Sequence, residues 1–192
     1  MRRYPIPAVI FAGGKSSRMG QDKALLPFGG YPTLSEFQYD KLTRYFARVY
    51  LSARSDKFTF TAPILYDRYP DSSPLVGIIS LFEHLPTIDE VFVLSVDAPF
   101  VGQEVIDAIM AVEGAYDAII AKSPHGIQPL CGRYRRTLLP HAKAQLHANQ
   151  HKLTTLLTQS HTHFVPYESQ EYFTNLNYPE EYTEALRAVS VP

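Results

Sequence analysis

The 192-residue chain has a single cysteine, Cys131, and no apolar run that approaches the length of a membrane span. One thiol excludes a disulfide within the chain and a metal site built from cysteines. A spanning helix needs about 20 apolar residues, so we expect no membrane segment. The short apolar stretch after Met1 is interrupted by Pro5 and Pro7, which argues against an export signal and favours a cytoplasmic protein.

The chain also lacks an excess of positive charge, since 18 Lys and Arg residues stand against 19 Asp and Glu residues. A general nucleic-acid coat or a membrane-surface binder needs net positive charge. We therefore expect neither nucleic acid nor membrane as a partner. The sequence has no repeat, low-complexity tract or linker, and residues 1–192 are interpreted as one domain.

Short apolar runs with the composition of buried β-strands recur along the chain. They do not alternate with polar residues, as is typical of parallel strands covered on both faces. Helical patterns separate them as far as about residue 120, which predicts an α/β fold with a mostly parallel sheet and helices on both sides. The predicted strands are Ala8–Ala12, Val49–Ala53, Ile64–Tyr66, Val91–Val96, Ala118–Ala121 and Leu130–Tyr134.

The helical patterns begin with a capping pair, Thr33 and Glu36, that predicts the start of the first helix. Beyond residue 120 the regular order loosens, and a final helix is expected to open at Pro179. The other predicted helices are Leu75–Leu85, Glu104–Val112, Leu138–Ala148 and Leu153–Thr158, and His163–Tyr167 is predicted to be extended.

A Gly-rich segment follows the first predicted strand directly. Gly13 and Gly14 let the backbone turn sharply, and successive N–H groups in such a turn form an anion-binding concavity. Three cations, Lys15, Arg18 and Lys23, lie within nine residues. The spacing is not that of a Walker A loop. The alternative is a strand–turn–helix junction with solvated lysines, but the coincidence of strand, glycines and cations favours a nucleoside triphosphate site.

The run from residue 11 to residue 27 reads F-A-G-G-K-S-S-R-M-G-Q-D-K-A-L-L-P. It resembles the L-A-G-G-x-S-x-R-M-G-x-D-K-A-L-L-P signature of the molybdenum cofactor guanylyltransferases, with phenylalanine in place of the first leucine. The resemblance implies a three-layer Rossmann-like nucleotidyltransferase fold. It also implies transfer of GMP from GTP to molybdopterin-bound molybdenum cofactor with Mg²⁺ as cofactor. Molybdoenzyme maturation proteins are a further class of partner.

Nucleotide-binding residues are expected in and around this loop, at Phe11, Ala12, Gly13, Gly14 and Lys23. The amides and hydroxyls of residues 13–17 are expected to hold the β- and γ-phosphates. Arg18 and Lys23 are predicted to be catalytic, because they would stabilise the charge that develops on the leaving pyrophosphate.

Asp97 ends an apolar strand, where open α/β sheets bind ligands. It resembles the magnesium-binding aspartate of the family's D-x-P-[FY] element, and it is predicted as catalytic residue and metal ligand; the alternative is a turn-forming aspartate before Pro99. Asp67 resembles a nucleotide-contacting aspartate that precedes a P-L-x-G element, with a loop acid as the alternative. Gly77 of that element is expected to let a helix start pass close to the ligand.

Base and acceptor recognition depend on less specific positions. Ser52 stands where the family often carries a guanine-contacting Asn, and a hydroxyl offers fewer hydrogen bonds than an amide. Gln128 lies where relatives have a substrate-side element. Asn175 and Asn177 resemble the family's N-[LIV]-N motif and are expected to point to one side, although Asn177 could instead cap the last helix.

Two other functions remain open at this stage. The first keeps the chemistry but uses CTP with molybdopterin, or a nucleotide with a sugar phosphate. The second is a nucleotide-binding adaptor without activity, which the retention of both the cationic loop and Asp97 argues against.

Overall fold

The computed structural model describes residues 3–13 and 20–189, and within them the chain forms one seven-stranded sheet. The strands are β1 (Ala8–Phe11), β2 (Val49–Ala53), β3 (Ile64–Tyr66), β4 (Glu90–Ser95), β5 (Ala118–Ser123), β6 (Gly126–Arg135) and β7 (Thr162–Pro166). The helices are α1 (Leu34–Tyr45), α2 (Pro74–His84), α3 (Gln103–Ala111), α4 (Leu139–His147), α5 (Leu153–Gln159) and α6 (Pro179–Val189).

The strand order is β3-β2-β1-β4-β6-β5-β7. Strand β1 pairs in parallel with both β2 and β4, so the chain leaves β1 towards one side of the sheet and later returns on the other side. Such a topological switch point opens a crevice at the carboxyl ends of the two strands. The loops after β1 and β4 therefore meet at this edge of the sheet.

Side chains of β1 alternate between two apolar cores, one on each face of the sheet. Ala8 and Ile10 pack with residues of α1, α3 and α6, whereas Val9 and Phe11 pack with residues of α2, α4 and α5. The result is the three-layer α/β arrangement that the sequence predicted. None of the described helices is both long enough and apolar enough to cross a membrane.

One predicted strand forms the antiparallel part of the mostly parallel sheet. Strand β6 is antiparallel to both β4 and β5, and it extends well beyond the predicted Leu130–Tyr134. The physical reason is the short link, because Ser123 and Gly126 face each other across a two-residue turn and Gly126 has a φ of 130°. A connection this short closes a hairpin and cannot cross over to a parallel strand.

The hairpin is irregular next to Pro129, which has no N–H to donate to a neighbouring strand. The pairing between β5 and β6 shifts between Ile120 and Lys122, so residues 128–131 have no regular partners on β5. A bulge of this kind redirects side chains away from the ladder. Here Gln128 and Leu130 line a cavity at the same sheet edge as the loops after β1 and β4.

Candidate active site

Three polar side chains that are far apart in sequence meet at the edge of the sheet beyond β1 and β4. The Lys23 ammonium donates to Asp97 Oδ2 at 2.5 Å and to Asn177 Oδ1 at 3.0 Å. The side chains of Lys23 and Asp97 are only 16% and 15% exposed. Their attraction is therefore screened less by water than that of a surface ion pair.

Lys23 is oriented by the turn that contains it. It is the first residue of a short 3₁₀ helix, Lys23–Leu25, and the Asp22 carboxylate caps that helix by accepting the Ala24 N–H at 3.0 Å. The same carboxylate forms an ion pair with Lys57. Lys57 also donates to the Ala12 carbonyl at 2.9 Å, so one side chain connects the start of the Gly-rich loop to its end.

Sequence reasoning missed Lys57, which lies in a loop after β2 with no motif around it. From the sequence alone, Lys57 cannot be distinguished from a solvated lysine, because only the fold brings residues 12, 22 and 57 together. The sequence offered one hint, which was Asp22 of the R-M-G-x-D-K run. This carboxylate had been assigned no role, and in the structure it pairs with Lys57.

Asp97 is held by its own strand end and by the segment before α6. The Ser95 hydroxyl donates to Asp97 Oδ1 at 2.5 Å, and the Leu176 N–H donates to the Asp97 carbonyl oxygen at 3.0 Å. The neighbouring Asn177 and Tyr178 N–H groups both bond to the Glu181 carboxylate, which therefore supports the start of α6. The Asn177 side-chain oxygen accepts the hydrogen bond from Lys23, so this residue is part of the same cluster.

A cavity of about 390 Å³ opens beside this cluster. It brings the four predicted nucleotide-binding residues Phe11, Gly13, Ser52 and Asp67 together at the ends of β1, β2 and β3. Burial raises the pKa of the Asp67 carboxyl, and the positive charge of Arg54 opposes that rise. The lining residues are Phe11, Gly13, Ser52, Asp67, Ser72, Ser73, Pro74, Gly77 and Leu130.

Gly77 lies in the first turns of α2, and its lack of a side chain makes room for a neighbouring ring. A Cβ atom at this position would lie 2.3 Å from Phe11 Cε1 and 3.0 Å from Phe11 Cζ. The sequence predicted that Gly77 lets the start of a helix lie close to a ligand. In the structure, helix α2 lies close to the Phe11 side chain at Gly77, and Gly77 and Phe11 both line the cavity.

We expect Gly77→Ala to raise the KM for GTP about tenfold with little change in kcat. The added methyl group would displace the Phe11 ring into the cavity, and overpacking of this kind costs about 1–3 kcal/mol. Steady-state kinetics with GTP as the varied substrate measures the effect. Gly102→Ala is the matched control, because the nearest atom to its added Cβ would be 3.9 Å away. The double variant Phe11→Leu/Gly77→Ala should recover the wild-type KM, and a KM that stays raised in it would contradict this explanation.

A second cavity, of about 470 Å³, is lined by Asp97. Gln128 and Asn175, both predicted on the substrate side, line it, and the Gln128 amide is anchored by donating to Ser123 Oγ at 2.9 Å. His151 and Lys152, which the sequence did not single out, line it as well. The remaining lining residues are Pro74, Ser95, Asp97, Ala98, Pro129, Leu130, Cys131, Leu153, Thr154 and Phe173.

The two cavities are adjacent, because Pro74 and Leu130 line both of them. A smaller space of about 210 Å³ is bounded by Ala12, Gly13, Lys23 and Asp97. Gly14 and Arg18 were also predicted for this site and lie outside the described residues. Within the described residues, the Lys23–Asp97 pair thus borders both the end of the Gly-rich loop and the second cavity.

The surroundings of Asp97 suit one common mode of Mg²⁺ binding. Among residues 3–13 and 20–189, no three His, Cys, Asp or Glu side chains gather into a cluster that could hold a metal. Mg²⁺ does not require such a cluster, since it is commonly held by one or two carboxylates together with waters and substrate phosphates. A single carboxylate next to a phosphate-sized space fits this mode of binding.

Known proteins resemble this chain along nearly its whole length. A family model described as the MobA-like NTP transferase domain matches residues 8–164. A molybdenum cofactor guanylyltransferase of Campylobacter jejuni (strain RM1221) is 39% identical over 185 residues, which are 95% of this chain and 96% of the relative. The enzyme of the same name from Helicobacter pylori (strain J99) is 31% identical, over 95% of this chain and 88% of the relative.

A solved structure supports the same fold. Molybdopterin-guanine dinucleotide biosynthesis protein A from Archaeoglobus fulgidus matches with a TM-score of 0.82 and 20% identity, over 96% of this chain and 99% of that one. Fold and family together define the chain as an α/β nucleotidyltransferase. It belongs to the MobA-like NTP transferase family, together with proteins named molybdenum cofactor guanylyltransferase.

Proposed function

We propose that this protein transfers GMP from GTP to molybdopterin-bound molybdenum cofactor and releases pyrophosphate. The observation that supports it best is the position of the Lys23–Asp97 pair, which lines a small space that shares wall residues with both larger cavities. The cavity with Phe11, Ser52 and Asp67 would take the nucleotide, and the cavity with Gln128, Lys152 and Asn175 would take the acceptor. We further propose that residues 1–192 act as one domain in the cytoplasm, and that maturation proteins receive the product.

The proposed reaction needs no nucleophile from the protein. The terminal phosphate oxygen of molybdopterin forms a bond to the α-phosphorus of GTP, and the bond from that phosphorus to the bridging α–β oxygen breaks. Cys131 is the one thiol that lines the acceptor cavity, and burial raises its pKa to about 12, so it stays protonated at neutral pH. Catalysis then consists of positioning the two phosphates and neutralising charge.

Each residue of the cluster has a role in this scheme. Lys23 would neutralise the charge that develops on the pyrophosphate, with Arg18 as a second cation on the basis of the family signature. Asp97 would hold Mg²⁺, which supplies positive charge to the phosphate oxygens when it is bound. The Asn177 side-chain oxygen, together with the Asp22 carboxylate that caps the 3₁₀ helix, would keep the Lys23 ammonium directed at the phosphates.

The deciding experiment identifies the product. Purified protein is incubated with molybdopterin cofactor, Mg²⁺ and each nucleoside triphosphate in turn, and dinucleotide and pyrophosphate are measured by mass spectrometry and a coupled assay. We expect the guanine dinucleotide and equimolar pyrophosphate, with turnover lost in EDTA and restored by Mg²⁺. GTP binding without any dinucleotide would instead support the nucleotide-binding adaptor.

Base choice gives a further prediction. We expect kcat/KM for GTP to exceed that for ATP and CTP by two or more powers of ten, roughly the discrimination of a site that hydrogen-bonds its substrate. Ser52→Ala should reduce this preference by only about fivefold, because loss of one neutral hydrogen bond costs about 1 kcal/mol. Backbone groups near Phe11 and residues 74–77 would carry the rest.

Competition kinetics with the three nucleotides checks this expectation. Ser80→Ala is a suitable control, since Ser80 is also a buried serine but bonds to the Arg68 N–H and does not line the cavity. Equal use of GTP and CTP by the wild type would contradict guanylyl transfer and leave nucleotidyl transfer in place.

A further inference from the structure

The loop between β4 and α3 carries Asp97, and helix α1 packs against it. Gln38 of α1 is fully buried, and its side-chain amide nitrogen donates to the carbonyl oxygens of Ser95 at 3.3 Å and of Val96 at 3.1 Å. These are the two residues that come directly before Asp97. Because Gln38 lies on a helix, its backbone is anchored and the amide has a defined position.

Lys41 lies three residues further along α1, on the same face of the helix. Its ammonium group donates to the carbonyl oxygens of Pro99 and Val101, each at 2.9 Å. These residues follow Asp97. Two side chains of one helix therefore bond to four carbonyl groups that lie on both sides of the Asp97 carboxylate along the chain.

Gln38 and Lys41 each carry a cost in folding free energy at their buried positions. Gln38 Oε1 is buried and has no hydrogen-bond partner among the residues that the structure describes. Burial lowers the pKa of the Lys41 ammonium from 10.5 to about 7, so its charge is poorly solvated. An apolar helix face would avoid both penalties. Departures of this kind from the rules of core packing are expected where function requires them.

We propose that Gln38 and Lys41 are positioning residues that hold the backbone on both sides of Asp97, so that its carboxylate keeps a fixed direction. This inference rests on the proposed role of Asp97 in catalysis. Neither residue lines the nucleotide cavity, so their effect reaches the substrates only through the loop. The Leu176 N–H donates to the Asp97 carbonyl oxygen, so the segment before α6 supports the same loop.

The test uses Gln38→Leu and Lys41→Met, which keep most of the side-chain volume and remove the hydrogen bonds. We expect kcat to fall about tenfold to a hundredfold, as small misplacements of catalytic groups do. The KM for GTP should stay within about twofold, because the nucleotide cavity is built by other residues. The melting temperature should fall modestly, because the carbonyl oxygens lose buried donors while an unpaired oxygen or a poorly solvated charge is also removed.

Two further variants make the outcome decisive. Thr162→Val removes another buried oxygen without a partner in the described structure, on the distant strand β7, and should leave kcat unchanged. Asp97→Asn separates the proposed role of Asp97 from the positioning role of Gln38 and Lys41. If Asp97→Asn turns over normally, the proposed role of Asp97 fails, and with it the reason for holding its carboxylate in a fixed direction. The product assay tests guanylyl transfer itself, so the two failures are distinguishable.

If Asp97→Asn is inactive while Gln38→Leu and Lys41→Met both keep the wild-type kcat, the positioning role is wrong. A lower kcat that follows only from a lower fraction of folded protein would also overturn it, so kinetics are measured well below each melting temperature. Should Gln38→Leu fail to fold, Lys41→Met alone decides, because it removes the two bonds on the other side of Asp97.

Discussion

Replacing Asp97 with asparagine is expected to lower kcat by about three powers of ten. The substitution keeps the shape of the side chain and its hydrogen bond to Ser95, but it removes the negative charge that pairs with Lys23. Loss of a metal-holding carboxylate removes several kcal/mol of charge stabilisation at the phosphates, and about 4 kcal/mol corresponds to three powers of ten. Single-turnover measurements with GTP and molybdopterin cofactor report the chemical step directly.

Asp89→Asn is the matched control for this variant. Asp89 is exposed and comes just before the opposite end of the same strand, β4, so it shares the strand but not the site. The control should keep the wild-type kcat. Thermal unfolding should show only a modest loss of stability for Asp97→Asn, because Lys23 keeps its contact with Asn177. Near-normal turnover of Asp97→Asn would mean that charge at this position is not needed for transfer.

Lys23→Met is expected to have the second largest effect, a fall in kcat of about two powers of ten. Methionine keeps the length and apolar stem of the side chain and removes the ammonium group. Removing one preorganised donor from the place where negative charge develops typically costs two to three powers of ten in rate. The KM for GTP should rise less than kcat falls, because in the proposed reaction the ammonium would act mainly on the leaving pyrophosphate.

Lys143→Met provides the comparison for the loss of an ion-paired lysine. Lys143 pairs with Glu83 at 2.6 Å on the surface between α2 and α4, away from both cavities. Its loss should leave kcat and KM unchanged. If Lys23→Met raised only the KM for GTP and kept kcat, the residue would serve ground-state binding alone.

Most of the architecture could be predicted because it depends on local patterns. Unbroken apolar runs such as Val91–Val96 are typical of strands that are covered on both faces, and Thr33 marked the start of α1, where its hydroxyl indeed accepts the Glu36 N–H. The orientation of strand β6 within the mostly parallel sheet was not predicted. Apolar composition indicates burial but not direction, which is set here by the two-residue link to β5.

The candidate site was predictable only in part. Residues in a recognisable motif, such as Lys23 and Asp97, could be assigned to one end of the sheet from the order of the strands. Lys57, His151 and Lys152 could not, because each belongs to a stretch without a motif. Their proximity to the site results from contacts between segments that are 35 or more residues apart, as between Asp22 and Lys57.

The sequence by itself determined the α/β class, the position of the Gly-rich loop directly after the first strand and the resemblance to one nucleotidyltransferase family. These follow from apolar periodicity and from one contiguous run of residues, which are local properties. Only the tertiary structure decided that Asn177 reaches Lys23, that Gly77 makes room for Phe11 and that Gln38 and Lys41 bond on both sides of Asp97. Such contacts depend on how helices pack on the sheet, and no local pattern encodes the distance between two side chains on different elements.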